Sequence, residues 1–263
     1  APRGLLNHTG LFSRHAQARL HASHRGSFGD LTVIGGADGM GGAVLLAARM
    51  AAMAGAGRVF AAFAGTAPPF DPPHPELMCR DAHTVSLDRG AVVIGPGLGM
   101  SRAAHDLLSQ ALASSRPLVI DADALNLLAE EMPLQQKLAA RAATGVPVII
   151  TPHPLEAARL LGTDATQVQA DRMGAAMQLA QRFWSVVILK GSGSVIAAPH
   201  ERIVINRTGN PALATAGSGD VLSGLCGALL TQGWPARDAA LAAAYLHGSA
   251  ADDLVAAGTG PVG

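Results

Sequence analysis

The stretch Ala216-Gly-Ser-Gly-Asp220 is the most informative part of this chain for both fold and chemistry. An apolar helical pattern follows it at once, so a glycine-rich turn opens a helix. Such a turn presents free backbone N–H groups to which the helix dipole adds partial positive charge, and the result is an anion site, most often for phosphate. Asp220 would repel a phosphate, but it could take a proton from a hydroxyl being phosphorylated. The alternative is an ordinary N-capping aspartate.

On both sides of this turn, short apolar runs alternate with helical patterns. The predicted strands are Leu31–Ile34, Val59–Ala62, Ala91–Ile94, Leu118–Ile120, Val148–Ile150, Val186–Leu189 and Val195–Ala198. The predicted helices are Ala43–Ala54, Arg102–Leu112, Pro154–Leu161, Ala165–Phe183, Val221–Leu230 and Ala236–Ala257. This alternation predicts an α/β fold with a largely parallel sheet covered on both faces. Open parallel sheets bind ligands at the carboxyl ends of their strands, so the motifs that follow the strands should meet at one edge.

Composition agrees with an enzyme that has one large α/β domain, and the cysteine content fits a reducing cytoplasm. The 263 residues are 49% hydrophobic and 14% charged, with a formal net charge of zero. No basic excess suggests a nucleic-acid or membrane partner, and no apolar run is long enough to span a bilayer. Only 3% of the residues are aromatic, so the core must pack through small side chains. The two cysteines make no disulfide framework, and we expect Cys226 to be buried in the helix after Asp220.

We expect a boundary near residue 27, with an N-terminal arm or linker at 1–27 and the domain at 28–263. The arm is rich in histidine and arginine but has no clear apolar period and no metal-ligand spacing. The chain begins at Ala1 and stops in Gly260-Pro-Val-Gly263, so we expect it to be a piece of a longer protein with a truncated C-terminus.

Taken together and in order, the motifs resemble those of the ADP/ATP-dependent NAD(P)H-hydrate dehydratases, a branch of the ribokinase-like superfamily. The matching segments are Val33-Ile-Gly-Gly36 with Gly42-Ala43, Val93-Ile-Gly-Pro-Gly-Leu-Gly99, Val119-Ile-Asp-Ala-Asp-Ala-Leu-Asn126, Thr151-Pro-His-Pro-Leu-Glu-Ala157, Ile188-Leu-Lys-Gly191 and Asn210 to Gly224. The resemblance implies a three-layer α/β/α sandwich with a central, mostly parallel sheet. It also implies phosphorylation of the 6-hydroxyl of hydrated NADH or NADPH (NADHX, NADPHX), followed by phosphate elimination, with ADP or ATP as cosubstrate and Mg²⁺.

By the same resemblance, Asp220 is the catalytic base, and Ala43, Gly97 and His153 contact the hydrated dinucleotide. Flanking prolines restrict the direction of the His153 imidazole. Asp123 is our own candidate for substrate or phosphate-side hydrogen bonding, and a helix cap is its alternative role. The chain departs from the family pattern at three positions, where it has Ala37, Leu155 and Ser194 in place of the usual Ser, Gly and Thr, and the last of these retains the hydroxyl.

For the nucleotide, the resemblance implies a seat in Lys190-Gly191-Ser192-Gly193-Ser194, which also predicts a turn between two strands. Amides of Gly217, Ser218 and Gly219 complete this seat. Glu156 lies in the first turn of a helix, where it would stabilise the helix dipole, and an indirect link to magnesium through water is the alternative. We call Ala216-Gly-Ser-Gly-Asp220 the phosphate turn. His247 lies on a predicted helix that we place away from this turn, so we expect it to be structural.

We expect a homo-oligomer, a tetramer or larger, because the Ala-rich helices are smooth and because family members assemble. The N-terminal arm could join an epimerase domain in the full-length protein. Two other functions stay open at this point. One is a small-molecule kinase of the thiazole or hydroxymethylpyrimidine kinase type, and the other is a catalytically silent dinucleotide-binding module.

Overall fold

A computed structural model describes residues 4–16 and 21–258, and the strands in these ranges form one ten-stranded sheet. In chain order they are β1 (Gly4–Leu6), β2 (Asp30–Gly35), β3 (Arg58–Phe63), β4 (Met78–Asp81), β5 (Ala91–Ile94), β6 (Leu118–Ile120), β7 (Val148–Ile150), β8 (Val186–Leu189), β9 (Val195–Ala197) and β10 (Ile203–Ile205). The spatial order is β1-β10-β9-β8-β7-β6-β5-β2-β3-β4. Among these strands only β9 runs antiparallel to its neighbours.

Helices cover both faces of the sheet. They are α1 (Gly41–Met53), α2 (Arg102–Ala113), α3 (Ala122–Glu130), α4 (Met132–Ala140), α5 (Pro154–Leu161), α6 (Ala165–Ala170), α7 (Arg172–Phe183), α8 (Ser218–Thr231) and α9 (Ala236–Ala256). Helices α1, α8 and α9 pack into the core on one face, and α2 to α7 pack into the core on the other. The predicted three-layer α/β/α sandwich with a mostly parallel sheet is therefore confirmed.

Alternation along the central strands produces the two cores. In β6, Leu118 and Ile120 point to the face of α2 to α7, whereas Val119 points to the face of α1, α8 and α9. All three side chains are fully buried. A strand buried on both faces has no polar positions, which is why these strands are continuous apolar runs in the sequence.

Helix α8 packs very closely against α1 and the sheet, through glycines rather than large aromatic side chains. A Cβ on Gly224 would lie 2.1 Å from the carbonyl oxygen of Ala47 in α1, and one on Gly227 would lie 2.4 Å from Val93 in the sheet. Only glycine allows α8 to approach its neighbours this closely. Cys226 lies between these glycines and is fully buried, as predicted.

Several elements differ from the sequence prediction. The predicted helix 165–183 is divided at Asp171, whose side chain accepts a hydrogen bond from the amide of Gly174 and caps α7. Strands β1, β4 and β10 and helices α3 and α4 were not predicted. Each strand has only three or four residues and each helix only nine, too few to establish a clear period.

The N-terminal segment is attached to the sheet in its described part. Strand β1 pairs in parallel with β10, and the buried Asn7 side chain donates to Asn206 Oδ1 and to the Leu241 carbonyl. Residues 4–16 are thus part of the domain surface rather than a free linker, although the predicted boundary near residue 27 stays a prediction. The predicted truncation concerns residues 259–263, which lie outside the described residues, as do 1–3 and 17–20. Within 4–16 and 21–258, no helix combines the length and apolar character needed to cross a membrane.

Candidate active site

The polar motifs meet at the carboxyl edge of the sheet, as predicted. Gly95 follows β5, Asp121 follows β6, Thr151 follows β7 and Lys190 follows β8, and these strands are neighbours. Parallel strands in this order bring their ends into one row, although up to about a hundred residues separate them in sequence. The N-terminus of α8 faces the same row, because a Cβ on Gly219 would lie 3.4 Å from Lys190 Nζ and 3.9 Å from Asp121 Oδ2.

The Gly-rich turn opens α8 as expected. Gly217 is the residue before the helix and has φ +89°, a conformation that favours glycine. The amides of Ser218, Gly219 and Asp220 belong to the first turn, where the helix supplies no acceptor carbonyls. Asp220 follows directly. Burial raises the pKa of its carboxyl to about 6, the carboxylates of Asp121 and Asp123 add to this effect, and Lys190 opposes it. A carboxylate of this pKa beside an anion seat can act as a base near neutral pH.

A buried ion pair lies beneath this turn. Lys190 Nζ is 2.7 Å from Asp121 Oδ1 and 3.9 Å from Glu156 Oε2, and the Asp121 side chain is 1% exposed. Burial lowers the pKa of Lys190, but the carboxylates of Asp121, Glu156 and Asp220 raise it by more, so the lysine is held as a cation. The sequence predicts Lys190 at the nucleotide but does not predict its ion pair with Asp121. The only signal was that both residues follow strands.

His153 and Glu156 form a capping box at the start of α5. His153 Nδ1 accepts from the amides of Leu155 and Glu156, and Glu156 Oε2 accepts from the amide of His153 at 2.7 Å. Because Nδ1 is an acceptor, Nε2 carries the ring proton and lies 3.3 Å from Glu156 Oε1. Burial lowers the pKa of His153 and raises that of Glu156 to about 7. Both ring nitrogens therefore already have partners within the chain, and Glu156 lies in the first turn of α5, where the sequence predicts that it stabilises the helix dipole.

Two glycine loops, one after β2 and one after β5, lie side by side at the same edge of the sheet. The amide of Ala37 donates to the Gly97 carbonyl at 2.7 Å, and that of Gly36 donates to the Pro96 carbonyl at 2.9 Å. Ala43 borders the second loop, since a Cβ added to Gly97 would lie 3.2 Å from the Cβ of Ala43. The loops are thus fixed to each other and to the start of α1.

Asp123 fastens the second loop to α3. Its Oδ2 accepts from the amide of Gly99 at 2.8 Å. The residue lies in the first turn of α3, whereas the capping position belongs to Asp121, so the cap considered for Asp123 is absent. The turn after β6 sends the two carboxylates to different partners, Asp121 to Lys190 and Asp123 to Gly99.

A cavity of about 470 Å³ collects most of the expected nucleotide residues. It is lined by the whole of 190–194, by Ser218 and Gly219, and by part of 206–214. Gly217 and Asp220 lie directly beside it in the chain. None of Ala43, Gly97, Asp123 or His153 lines it, so the predicted residues form two groups, one that lines the cavity and one that lies outside it.

His247 was placed wrongly by sequence reasoning. We expected it away from the phosphate turn, but its ring lines this cavity together with Ser218 and Gly219. Burial lowers its pKa, and a hydrogen bond with the Ser218 backbone works in the opposite direction. The helical period placed His247 on α9 correctly, but it could not give the side of the domain that α9 faces.

The donor set limits how a divalent cation could bind. Asp121, Glu156 and Asp220 offer carboxylate oxygens, the ligands that Mg²⁺ prefers. Asp121 and Glu156 are already engaged by Lys190 and by the capping box, and no group of three or more His, Cys, Asp or Glu side chains within residues 4–16 and 21–258 is placed to hold a metal. The site fits a cation held mainly by phosphates and water, not one enclosed by protein ligands.

The fold and the site together define a class. A three-layer α/β/α sandwich with a mostly parallel sheet, and with a Gly-Ser-Gly turn and an aspartate of raised pKa at the carboxyl edge of that sheet, is a ribokinase-like protein. Residues 31–260 match the family model described as NAD(P)H-hydrate dehydratase. The chain belongs to the NAD(P)H-hydrate dehydratase family.

Individual relatives agree with this assignment. The chain is 46% identical over 242 residues to the ADP-dependent (S)-NAD(P)H-hydrate dehydratase of Neisseria meningitidis serogroup B, covering 90% of this chain and 80% of that protein. It is 43% identical over 244 residues to the bifunctional NAD(P)H-hydrate repair enzyme of Coxiella burnetii, covering 89% of this chain but only 47% of that protein. The chain thus spans about half the length of that bifunctional relative.

A solved structure is similar over nearly the whole chain. The ADP/ATP-dependent NAD(P)H-hydrate dehydratase of Bacillus subtilis, co-crystallised with ATP and Mg²⁺, superposes with a TM-score of 0.82 at 31% identity. The match covers 97% of this chain and 91% of the Bacillus chain.

Proposed function

We propose that this protein uses ADP or ATP to dehydrate (6S)-NADHX and NADPHX, and so restores NADH and NADPH. The reaction is that of a hydro-lyase. A phosphoryl group is transferred to the 6-hydroxyl, and phosphate then leaves as the dihydronicotinamide ring re-forms. Family membership and the names of the relatives support the substrate, and the arrangement around Asp220 supports the chemistry.

The observation that carries the proposal is the position of Asp220 in the first turn of α8. Its pKa of about 6 keeps most of it ionised at neutral pH, and the amides before it lie at the start of α8, where the helix itself supplies no acceptor carbonyls. In the first step, Asp220 takes the proton of the 6-hydroxyl, and the oxygen attacks the terminal phosphoryl group of the nucleotide. The amides of Gly217 to Gly219 and the dipole of α8 stabilise charge on the transferring group.

The two groups of site residues would then hold the two substrates. Residues 190–194 with Ser218 and Gly219 hold the nucleotide, and Ala43, Gly97, Asp123 and His153 hold the hydrated dinucleotide. Since both nitrogens of His153 have partners in the chain, its contact with the hydrate would use the ring face or share the Nε2 proton with Glu156. Magnesium would accompany the nucleotide phosphates, with Glu156 acting through water, and would supply positive charge opposite the phosphates.

The test is recovery of the reduced ring. Heat-hydrated NADH and NADPH are each incubated with the protein and ADP or ATP, while the absorbance of the dihydronicotinamide ring is followed. Return of absorbance that requires nucleotide supports the proposal, and comparison of ADP with ATP gives the cosubstrate preference. Consumption of nucleotide with release of a stable phosphorylated product would identify a small-molecule kinase instead. Binding without any reaction would identify a silent dinucleotide-binding module.

We also propose a cytoplasmic homo-oligomer, a tetramer or larger, that could carry an epimerase domain in its full-length form. Two buried free cysteines, Cys79 and Cys226, fit a reducing compartment. Helix α1, whose smooth face was one reason to expect assembly, buries that face against α8 within the subunit. Support for assembly therefore rests on exposed apolar side chains such as Met53, which is 76% exposed, and light scattering that gave the mass of one chain would contradict it.

A further inference from the structure

The proposed dehydration has to release two protons, and Asp220 accounts for only one of them. The first is the 6-hydroxyl proton, removed when the phosphoryl group is transferred. The second is a proton on C5. When the C6–O bond breaks, phosphate takes the bonding electrons, and the ring becomes a dihydronicotinamide only if the C5–H electrons form the C5=C6 double bond. A proton acceptor on the dinucleotide side of the site is therefore needed.

We propose that Asp123 is this second base, which accepts the C5 proton during phosphate elimination. The inference rests on the proposed function. It assigns Asp123 a chemical step, beyond the hydrogen-bonding contact expected from the sequence. No oxidant or reductant is involved, because one proton goes to the carboxylate and the electron pair of the C5–H bond stays in the ring.

The other carboxylates of the site and the His153 ring are already engaged. Asp121 is 1% exposed and paired with Lys190 at 2.7 Å. Glu156 accepts the His153 amide with one carboxylate oxygen and lies 3.3 Å from the His153 ring with the other. That ring uses its second nitrogen to accept two backbone amides. Asp220 holds the hydroxyl proton at this stage.

Asp123 differs because only one of its two carboxylate oxygens accepts a hydrogen bond from a described residue. Its Oδ2 accepts from the amide of Gly99, and no other described residue is recorded as a hydrogen-bond or ion-pair partner of Oδ1. The side chain is half-buried rather than enclosed. The Gly99 amide thus fixes the direction of the carboxylate and leaves one oxygen available, an arrangement that suits a positioned base.

A chain of contacts connects Asp123 to Asp220 through the second glycine loop and the start of α1, which border the proposed dinucleotide site. Gly99 ends the loop that contains Gly97, and a Cβ on Gly97 would lie 3.2 Å from that of Ala43 at the start of α1. One turn later, Leu46 of the same helix meets the phosphate turn, since a Cβ on Gly217 would lie 2.5 Å from Leu46 Cδ1. The charge of Asp123 is also among those that raise the pKa of Asp220. The hydrated ring would thus lie between the two carboxylates, with its 6-hydroxyl toward Asp220 and the neighbouring C5 toward Asp123.

The test uses Asp123→Asn, because the amide oxygen of asparagine can still accept from Gly99 while the residue no longer works as a base. With hydrated NADH and nucleotide, we expect the variant to form a dinucleotide that is one phosphoryl group heavier, detected by mass spectrometry. Return of the ring absorbance should slow by about 10²–10⁴-fold, the range for loss of a positioned base. Substrate deuterated at both C5 positions should slow the variant further, whereas mere structural damage would slow both substrates equally.

Asp164→Asn is the control, because Asp164 also accepts a hydrogen bond from a backbone amide through its carboxylate but caps α6, outside the site. It should turn over like the unaltered protein. An Asp123→Asn variant that restores the ring at the unaltered rate would overturn the inference and leave the departing phosphate or water as the base. So would a folded variant that no longer consumes nucleotide, because Asp123 would then serve the first step. An unaltered protein that never restores the ring would refute the proposed function itself, so the two failures are distinguishable.

Discussion

Replacing Asp220 with Asn should make this protein inactive and more stable at the same time. The substitution keeps the size of the side chain but removes the charge and the basic oxygen. Loss of a positioned base lowers the rate by about 10²–10⁴-fold. Nucleotide binding should be unchanged or tighter, because the carboxylate that repels the phosphates is gone.

The gain in stability follows from the pKa of the same carboxyl group. Burial, with the charges of Asp121 and Asp123, raises this pKa from its ordinary value of 3.8 to about 6. The full difference corresponds to about 3 kcal/mol, which screening by solvent at this partly exposed group reduces to about 1–2 kcal/mol. The folded protein binds the proton more tightly than the unfolded chain does. The stability contributed by this group is therefore fully present below about pH 3.8, and it is lost as the pH rises through about 6.

The measurement is urea unfolding of the unaltered protein and of Asp220→Asn at several pH values. Near pH 4 the two free energies of unfolding should almost coincide, and the advantage of the variant should grow to its full size above about pH 6. Taking the difference between the two proteins cancels every other titrating group that they share. A variant that is equally or less stable at neutral pH would show that the folded protein imposes no strain on the carboxylate. Near-normal turnover by the folded variant would exclude Asp220 as the base.

Three further substitutions test the site and the core. Lys190→Met should lower the free energy of unfolding by about 3–5 kcal/mol, because it leaves the buried Asp121 carboxylate unpaired. Urea unfolding measures this loss, and a loss below about 1 kcal/mol would contradict a stabilising ion pair. Gly224→Ala should cost about 1–3 kcal/mol, because its Cβ would lie 2.1 Å from the Ala47 carbonyl oxygen, and an unchanged thermal midpoint would argue against such close packing. His153→Ala should raise the KM for the hydrate by roughly ten- to a hundredfold and leave that for the nucleotide almost unchanged, as steady-state kinetics with each substrate varied in turn would reveal. If the nucleotide KM rose selectively, the two substrates would have to exchange places in the site.

Local sequence determined the elements of the central sheet. Strands Ala91–Ile94, Leu118–Ile120, Val148–Ile150 and Val186–Leu189 have the predicted bounds. Each is a continuous apolar run because its strand is covered on both faces, and that requirement is visible residue by residue. The phosphate turn could also be predicted from local sequence, because the free amides at a helix start depend only on a glycine turn and the helix that follows it. The sequence also predicted that the strand-end motifs share one edge, because parallel strands aligned in one sheet allow no other arrangement.

Only the tertiary structure decided which side chains meet at that edge. The pairing of Lys190 with Asp121 joins residues 69 positions apart, and the position of His247 at the phosphate turn depends on how α9 crosses the sheet. Short edge strands such as Gly4–Leu6 are likewise specified by the partner strand rather than by their own residues. Propensity and periodicity act over a few residues along the chain, whereas an ion pair or a cavity is selected by the packing of whole layers. The chain thus encodes its anion-binding turn locally, but the buried charges that tune Asp220 arise only when the sheet has brought its strand ends together.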